Sequence, residues 1–263
     1  MYIDFHTHAF SEKIVERAMS KLILTSPMEP VTDGSVNGFK SIMNKNKIDM
    51  SVVLPIATKP SQHKVINNWA AEIQCSDSSI VSFGSIHPEG VDALRELERI
   101  KALGLHGVKF HPDYQEFFVG DRKHFPIYRK CAELDLPVIF HAGYDPTSPE
   151  NIHGMPEDFA GINDEIPELT MILAHMGGMY RWDEVERHLL GRNIYFDTAV
   201  VAGEIGTAQL RRLIEGQGAD RILFASDCPW DDPINEIEMI KGLGLSAEDE
   251  KNIFYRNAER LLK

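Results

Sequence analysis

This sequence predicts a closed eight-stranded α/β barrel, and three observations lead there. Short apolar runs rich in β-branched residues alternate with longer segments of helical period, the order of a parallel sheet wrapped by helices. Eight such pairs run along the chain, the number a (β/α)8 barrel requires. The length of 263 residues fits the ~250 that one such barrel occupies, so residues 1–263 are expected to form a single TIM-barrel domain finished by C-terminal helices.

The expected strands are Tyr2–His6, Met50–Pro55, Ile80–His87, Leu105–His111, Pro137–His141, Thr170–His175, Asn193–Asp197 and Arg221–Asp227. Helical periodicity marks Val36–Lys47, Lys64–Cys75, Val91–Leu103, Phe125–Leu134, Asp158–Ile166, Trp182–Leu190, Glu204–Glu215 and a set from Ile234 to Leu262. Gly104, Gly191 and Gly244 follow helical segments where left-handed caps belong, and Pro112, Pro149 and Pro229 lie just beyond strands. The Pro-rich segment from Gly143 to Glu157 reads as a long loop after the fifth strand, on the face where barrel loops shape a substrate pocket.

The chemistry gathers at strand ends. His6 and His8 flank Thr7 at the end of the first strand, a spacing that turns both imidazoles to one side, where they suit one metal ion or a hydrogen-bonded pair. His141 closes the fifth run, His175 the sixth and Asp227 the eighth. In a parallel barrel these ends share one face, so residues separated by over two hundred positions meet in one pocket. Imidazoles with a carboxylate suit a divalent metal: zinc first, with manganese or iron as alternatives.

On Asp4-Phe5-His6-Thr7-His8, His141, Ala174-His175-Met176-Gly177-Gly178 and Ser226-Asp227-Cys228-Pro229-Trp230, the sequence resembles the amidohydrolase superfamily. The resemblance covers nearly the whole chain and points to the amidohydrolase-related branch, which includes hydrolases and aminocarboxymuconate-semialdehyde-type decarboxylases. It implies that His6, His8, His141 and Asp227 bind one metal ion, and that His175 and Asp227 act in catalysis beside a bound water or substrate. Hydrolysis of a C–N or C–O bond in a small acidic substrate is the leading expectation, because the loops are compact. Non-oxidative decarboxylation of an aromatic or unsaturated carboxylic acid is its alternative, and a non-catalytic ligand-sensing barrel a third reading that the intact ligand set opposes.

Alternation in Gly107-Val108-Lys109-Phe110-His111 turns Lys109 and His111 toward the barrel mouth. Lys109 is expected to anchor a substrate carboxylate; by resemblance to binuclear relatives, a carboxylated bridge between two metals is the other role. His87 and His111 precede prolines and either touch substrate or fix the turn, with His111 retained as a substrate-binding candidate. Trp230 is the chosen lining residue ahead of Tyr114 and Trp182. Asp4 is expected to support the ligands, Cys228 to pack, and Gly177-Gly178 to form a tight turn.

Bulk properties exclude other classes. A net charge of −13 opposes binding to nucleic acid or anionic membranes, and no segment approaches the ~20 apolar residues needed to span a bilayer. Three widely spaced cysteines suggest neither disulfides nor a thiolate metal site. The N-terminus lacks a basic start with an apolar stretch, so a cytoplasmic location is expected. The expected partner is a small-molecule substrate, and exposed barrel helices are compatible with a homodimer.

Overall fold

The strands form where apolar residues must be buried on both faces of a sheet covered by helices. In the computed structural model, which describes residues 1–263, they are β1 (Ile3–Thr7), β2 (Met50–Val53), β3 (Ile80–Ser82), β4 (Gly84–Ser85), β5 (Val108–Phe110), β6 (Val138–Phe140), β7 (Met171–Leu173), β8 (Ile194–Asp197) and β9 (Ile222–Leu223). All pairings are parallel, in the order β1-β2-β3 and β4 through β9. The expected third strand is divided at Phe83: β3 pairs with β2, and β4 pairs with β5. Phe83 N–H donates to Val53 O (3.1 Å) and Gly84 N–H to Gly107 O (2.8 Å), which carries the ladder across the break.

The last strand meets the first. Phe5 N–H donates to Phe224 O (2.9 Å), Asp227 N–H to His6 O (2.8 Å) and His8 N–H to Cys228 O (2.6 Å). With eight strand positions, helices between them and this seam, the fold is the (β/α)8 TIM barrel that the alternation predicts.

The helices are α1 (Val15–Ile23), α2 (Val36–Asn46), α3 (His63–Ser76), α4 (Ala93–Ala102), α5 (Phe125–Glu133), α6 (Pro156–Glu165), α7 (Trp182–His188), α8 (Thr207–Gln217), α9 (Pro233–Gly242), α10 (Ala247–Lys251) and α11 (Asn257–Leu261). Their starts follow capping chemistry where the sequence supplies it. Ser35 caps α2 by accepting from Gly38 N–H, and Asp232 caps α9 ahead of Pro233. Gly104, Gly191 and Gly244 adopt φ of +72°, +78° and +62°, the left-handed conformation expected after helices. Helix α1 was not legible: Ile14 occupies its N-cap position without a side-chain hydrogen bond, so no start signal marks it. The strands are shorter than the apolar runs, because pairing stops where the chain turns to build the mouth.

Two apolar layers fill the barrel. Ile3, Phe5, Val52, Leu54, Val81, Phe83, Ile139, Ile172 and Leu223 belong to an inner cluster, with Phe5 and Phe83 meeting edge to face at 5.8 Å. A larger cluster, including Val108, Phe110, Val138, Phe140, Leu173 and Phe196, packs the outward strand faces against the helices. No helix is long and apolar enough to cross a membrane.

Candidate metal centre

His6 ends its strand at an irregularity. Ile3 and Phe5 belong to the inner layer, and the pairing of β1 with β2 shifts register between Asp4 and Thr7. That extra residue re-aims the chain so that His6 also reaches the mouth. His6 Nε2 and His8 Nε2 lie 3.2 Å apart, and Asp227 Oδ1 is 3.2 Å from the first and 3.0 Å from the second. Asp227 reaches this point from a left-handed residue (φ +65°) beyond β9.

The other ring nitrogens are anchored. His6 Nδ1 contacts Asp197 Oδ2 at 2.8 Å, and His8 Nδ1 contacts Leu54 O at 2.8 Å. Acceptors at both Nδ1 atoms place the ring protons there and leave both Nε2 atoms as lone pairs. Asp227 Oδ1 is buried without a hydrogen donor as a result. Two imidazole nitrogens and a carboxylate oxygen converge within 3.2 Å of one another, a donor set that fits a divalent metal ion.

Lys109 faces the mouth as alternation predicts: it is wholly buried, with Nζ 3.0 Å from His6 Nε2 in the candidate ligand cluster. Burial lowers its pKa to about 8, against the pull of Asp227 and Asp197, which favour its charge. The His6 imidazole is held well below its usual range by burial and then by the Lys109 charge. Burial opposes ionisation of Asp227, yet contact with His8 and the neighbouring cationic groups leave its carboxyl below the usual value.

His141 and His175 form a second pair at the mouth. His175 Nε2 lies 3.0 Å from His141 Nδ1, while His175 Nδ1 contacts Ala199 O at 2.8 Å. His175 takes φ of +59°, two residues beyond β7, and its ring centroid is 5.7 Å from that of His6. Burial, and then His175, push the His141 pKa down to about 3. His141 is not in the tight group of His6, His8 and Asp227; it is grouped with His111 and Asp145.

His111 is buried, stacked on Tyr114 at 3.8 Å and on His141 at 4.3 Å. Trp230 is partly exposed, and its backbone N–H donates to Asp227 O (2.9 Å), closing the turn that presents the carboxylate. Asp4 accepts from Ser226 N–H (2.9 Å), Ser226 Oγ (2.6 Å) and, at 3.3 Å, His6 N–H, so it ties the β1 and β9 seam and touches no ligand imidazole. His87 serves the turn: its N–H donates to His63 Nε2 (2.6 Å). Cys228 is buried, and burial raises its thiol far above the reactive range.

Sequence reading assigned no role to Asp197, Asp113, Asp145 or Gln115. Asp197 Oδ1 accepts from His175 N–H (2.9 Å) and Ala199 N–H (3.1 Å) while Oδ2 holds His6, so one carboxylate aligns two candidate site residues. Its place at the end of the predicted seventh strand was the available signal. Gln115 donates to Ala57 O (2.9 Å) and Ile86 O (2.7 Å) and accepts from His111 N–H (3.0 Å), pinning three mouth loops.

The chain matches the amidohydrolase family over residues 3–263. It is 27% identical over 290 residues to the decarboxylase orsB of Emericella nidulans, covering 86% of this chain and 85% of that protein. It is also 27% identical over 218 residues to a gamma-resorcylate decarboxylase of Polaromonas sp., covering 65% and 66% respectively. The 5-carboxyvanillate decarboxylase of Sphingomonas paucimobilis superposes with a TM-score of 0.77 at 18% identity, over 99% of this chain and 98% of that one. These likenesses favour an enzyme of the decarboxylase kind over the leading expectation of a hydrolase. From its match over nearly the full length, the chain belongs to the amidohydrolase family.

Proposed function

We propose that the protein is a metal-dependent, non-oxidative decarboxylase of an aromatic or unsaturated carboxylic acid. The observation that carries this reading is that two curated relatives are decarboxylases, the first matched over most of the chain. The convergence of His6, His8 and Asp227 supports the metal dependence. These three residues would hold the ion, with His141 the fourth ligand that the family resemblance implies. Nitrogen and carboxylate donors take zinc or manganese, and a solved 5-carboxyvanillate decarboxylase of Novosphingobium aromaticivorans is complexed with manganese. When bound, the ion supplies positive charge that holds substrate oxygens and stabilises negative charge developing on them.

His175 is the proposed proton carrier. Its Nδ1–H is spent on Ala199 O, which directs Nε2 to the mouth. The ring carbon that bears the carboxylate takes the proton from Nε2. The C–C bond then breaks, its electron pair returns to the ring, CO2 leaves, and Nε2 regains a proton from solvent. Asp227, whose carboxyl is held below its usual range, stays ionised beside His6 and His8. Lys109 balances the buried charges of Asp227 and Asp197.

Incubating metal-loaded protein with hydroxybenzoic acids in D2O tests the reading. The expected result is CO2 release with one deuterium at the vacated carbon, lost in His175→Ala. Solvent oxygen appearing in the product of an ester or amide, with no CO2 from any acid, would return the assignment to a hydrolase.

A further inference from the structure

Of the imidazoles His6, His8, His141 and His175, three are anchored through Nδ1. His6 Nδ1 meets Asp197 Oδ2, His8 Nδ1 meets Leu54 O and His175 Nδ1 meets Ala199 O, each at 2.8 Å. His141 has no such anchor: its Nε2 is buried without a hydrogen-bond partner. A second orphan faces it. Asp113 Oδ2 is likewise buried and unpartnered, 3.8 Å from His141 Nε2, on a side chain that is 1% exposed. Buried polar groups rarely stay unpaired, and these two stand about 1 Å short of a hydrogen bond with each other.

We infer that Asp113 positions His141 by accepting its Nε2–H, which leaves Nδ1 as the nitrogen that binds metal. Burial keeps the His141 ring neutral, so only one of its nitrogens carries a proton. A proton on Nδ1 would be spent on His175 Nε2, 3.0 Å away, closing that nitrogen to a metal and occupying the proposed proton carrier. A proton on Nε2 points at Asp113 and leaves Nδ1 with its lone pair on the His175 side.

Asp145 Oδ2 also lies 3.8 Å from His141 Nε2, and the His111 tautomer separates the two carboxylates. His111 Nδ1 accepts from Tyr114 N–H (3.4 Å), so its proton sits on Nε2, which faces Asp145 Oδ2 at 3.6 Å. Asp145 therefore has a donor of its own. Asp113 Oδ2 does not, because its other neighbour, 3.9 Å away, is the accepting His111 Nδ1. The opposite oxygen of Asp113 is fixed: Oδ1 accepts from Ser148 Oγ and from His153 Nδ1 (2.9 Å), whose ring stacks on Phe118 at 4.6 Å. Asp113, in the loop after β5, thus ties the long loop after β6 to the ring of His141.

Because this role rests on the metal-binding reading of the mouth, ring tautomer and metal affinity are measured separately. In protein carrying isotope-labelled histidine, nitrogen NMR distinguishes the tautomers, with His141 assigned by its loss in His141→Gln. Stripped and Zn2+-loaded wild type are expected to hold the His141 proton on Nε2, and Asp113→Asn, whose amide nitrogen would face His141, to hold it on Nδ1. Titration with Mn2+ against a competing chelator is expected to show binding weakened about 10–100-fold in Asp113→Asn. Asp145→Asn, which removes an equal charge as close to His141, is expected to lose less. A proton on Nδ1 in stripped wild type overturns the role of Asp113, as does unchanged affinity in Asp113→Asn or a larger loss in Asp145→Asn. Wild type that binds no ion, yet holds the proton on Nε2 and moves it in Asp113→Asn, sustains Asp113 as the partner of His141 and overturns the metal-binding reading.

Discussion

At the scale of single residues, the site is governed by which nitrogen carries the proton. Asp197 sets this for His6: its Oδ2 accepts at Nδ1 and so keeps Nε2 open to a cation. Asparagine in its place can keep Oδ1 on the His175 and Ala199 N–H groups, but then its amide nitrogen faces His6 Nδ1. The imidazole must shift its proton to Nε2, where it blocks the ligand position. Asp197→Asn is therefore expected to weaken Mn2+ or Zn2+ binding by about 10–100-fold, read by competition with a chelator. Unchanged affinity would mean that His6 does not bind metal through Nε2.

At the scale of elements, the barrel mouth is assembled from loops that helices and neighbouring strands tie in place. Glu236 on α9 is fully buried, and its Oε1 accepts from Val201 N–H (3.0 Å) and Ala202 N–H (2.9 Å), holding the loop whose Ala199 carbonyl orients His175. Its Oε2 has no partner, and burial raises its pKa well above 4.5. A carboxyl whose folded pKa exceeds its unfolded value stabilises the fold below the unfolded value, and that contribution is lost as pH rises through the folded one. Wild-type stability should thus decline above pH 4.5 relative to Glu236→Gln, which retains the accepting oxygen and cannot ionise. Glu236→Ala strands two N–H groups and is expected to cost about 2–4 kcal/mol by calorimetry at neutral pH. The long loop after β6 is tied in differently. Gly143 takes φ of +84° where an added Cβ would lie 2.2 Å from Met179 N, so only glycine lets the loops after β6 and β7 approach this closely.

At the scale of the whole molecule, the proposed ligands sit on both sides of the seam that closes the barrel: His6 and His8 from β1 and its end, Asp227 from beyond β9. An ion there links the first strand to the last and stabilises the closed state by mass action. At a hundredfold excess over Kd this is worth about 2.7 kcal/mol, or a Tm rise of about 5–10 °C for a chain of this size. Scanning calorimetry with and without chelator should show the rise, reduced by about half or more in Asp227→Asn. Equal Tm values under both conditions would contradict binding across the seam.

The sequence by itself determined the barrel class, because apolar runs alternating with helical periods are local signals repeated along the chain. It also placed His6, His8, His175 and Asp227 at the mouth, since strand ends of a parallel barrel share one face. Tertiary structure decided what periodicity does not encode. The register shift where β1 pairs with β2 and the left-handed conformations of His175 and Asp227 beyond their strands aim these side chains. The burial of Lys109 against His6 and the gathering of His111, His141, Asp113 and Asp145 depend likewise on distances between elements far apart in sequence. Strand alternation gives the side of a sheet a residue faces; only packing decides which charged neighbour it meets there, and burial sets how strongly they interact.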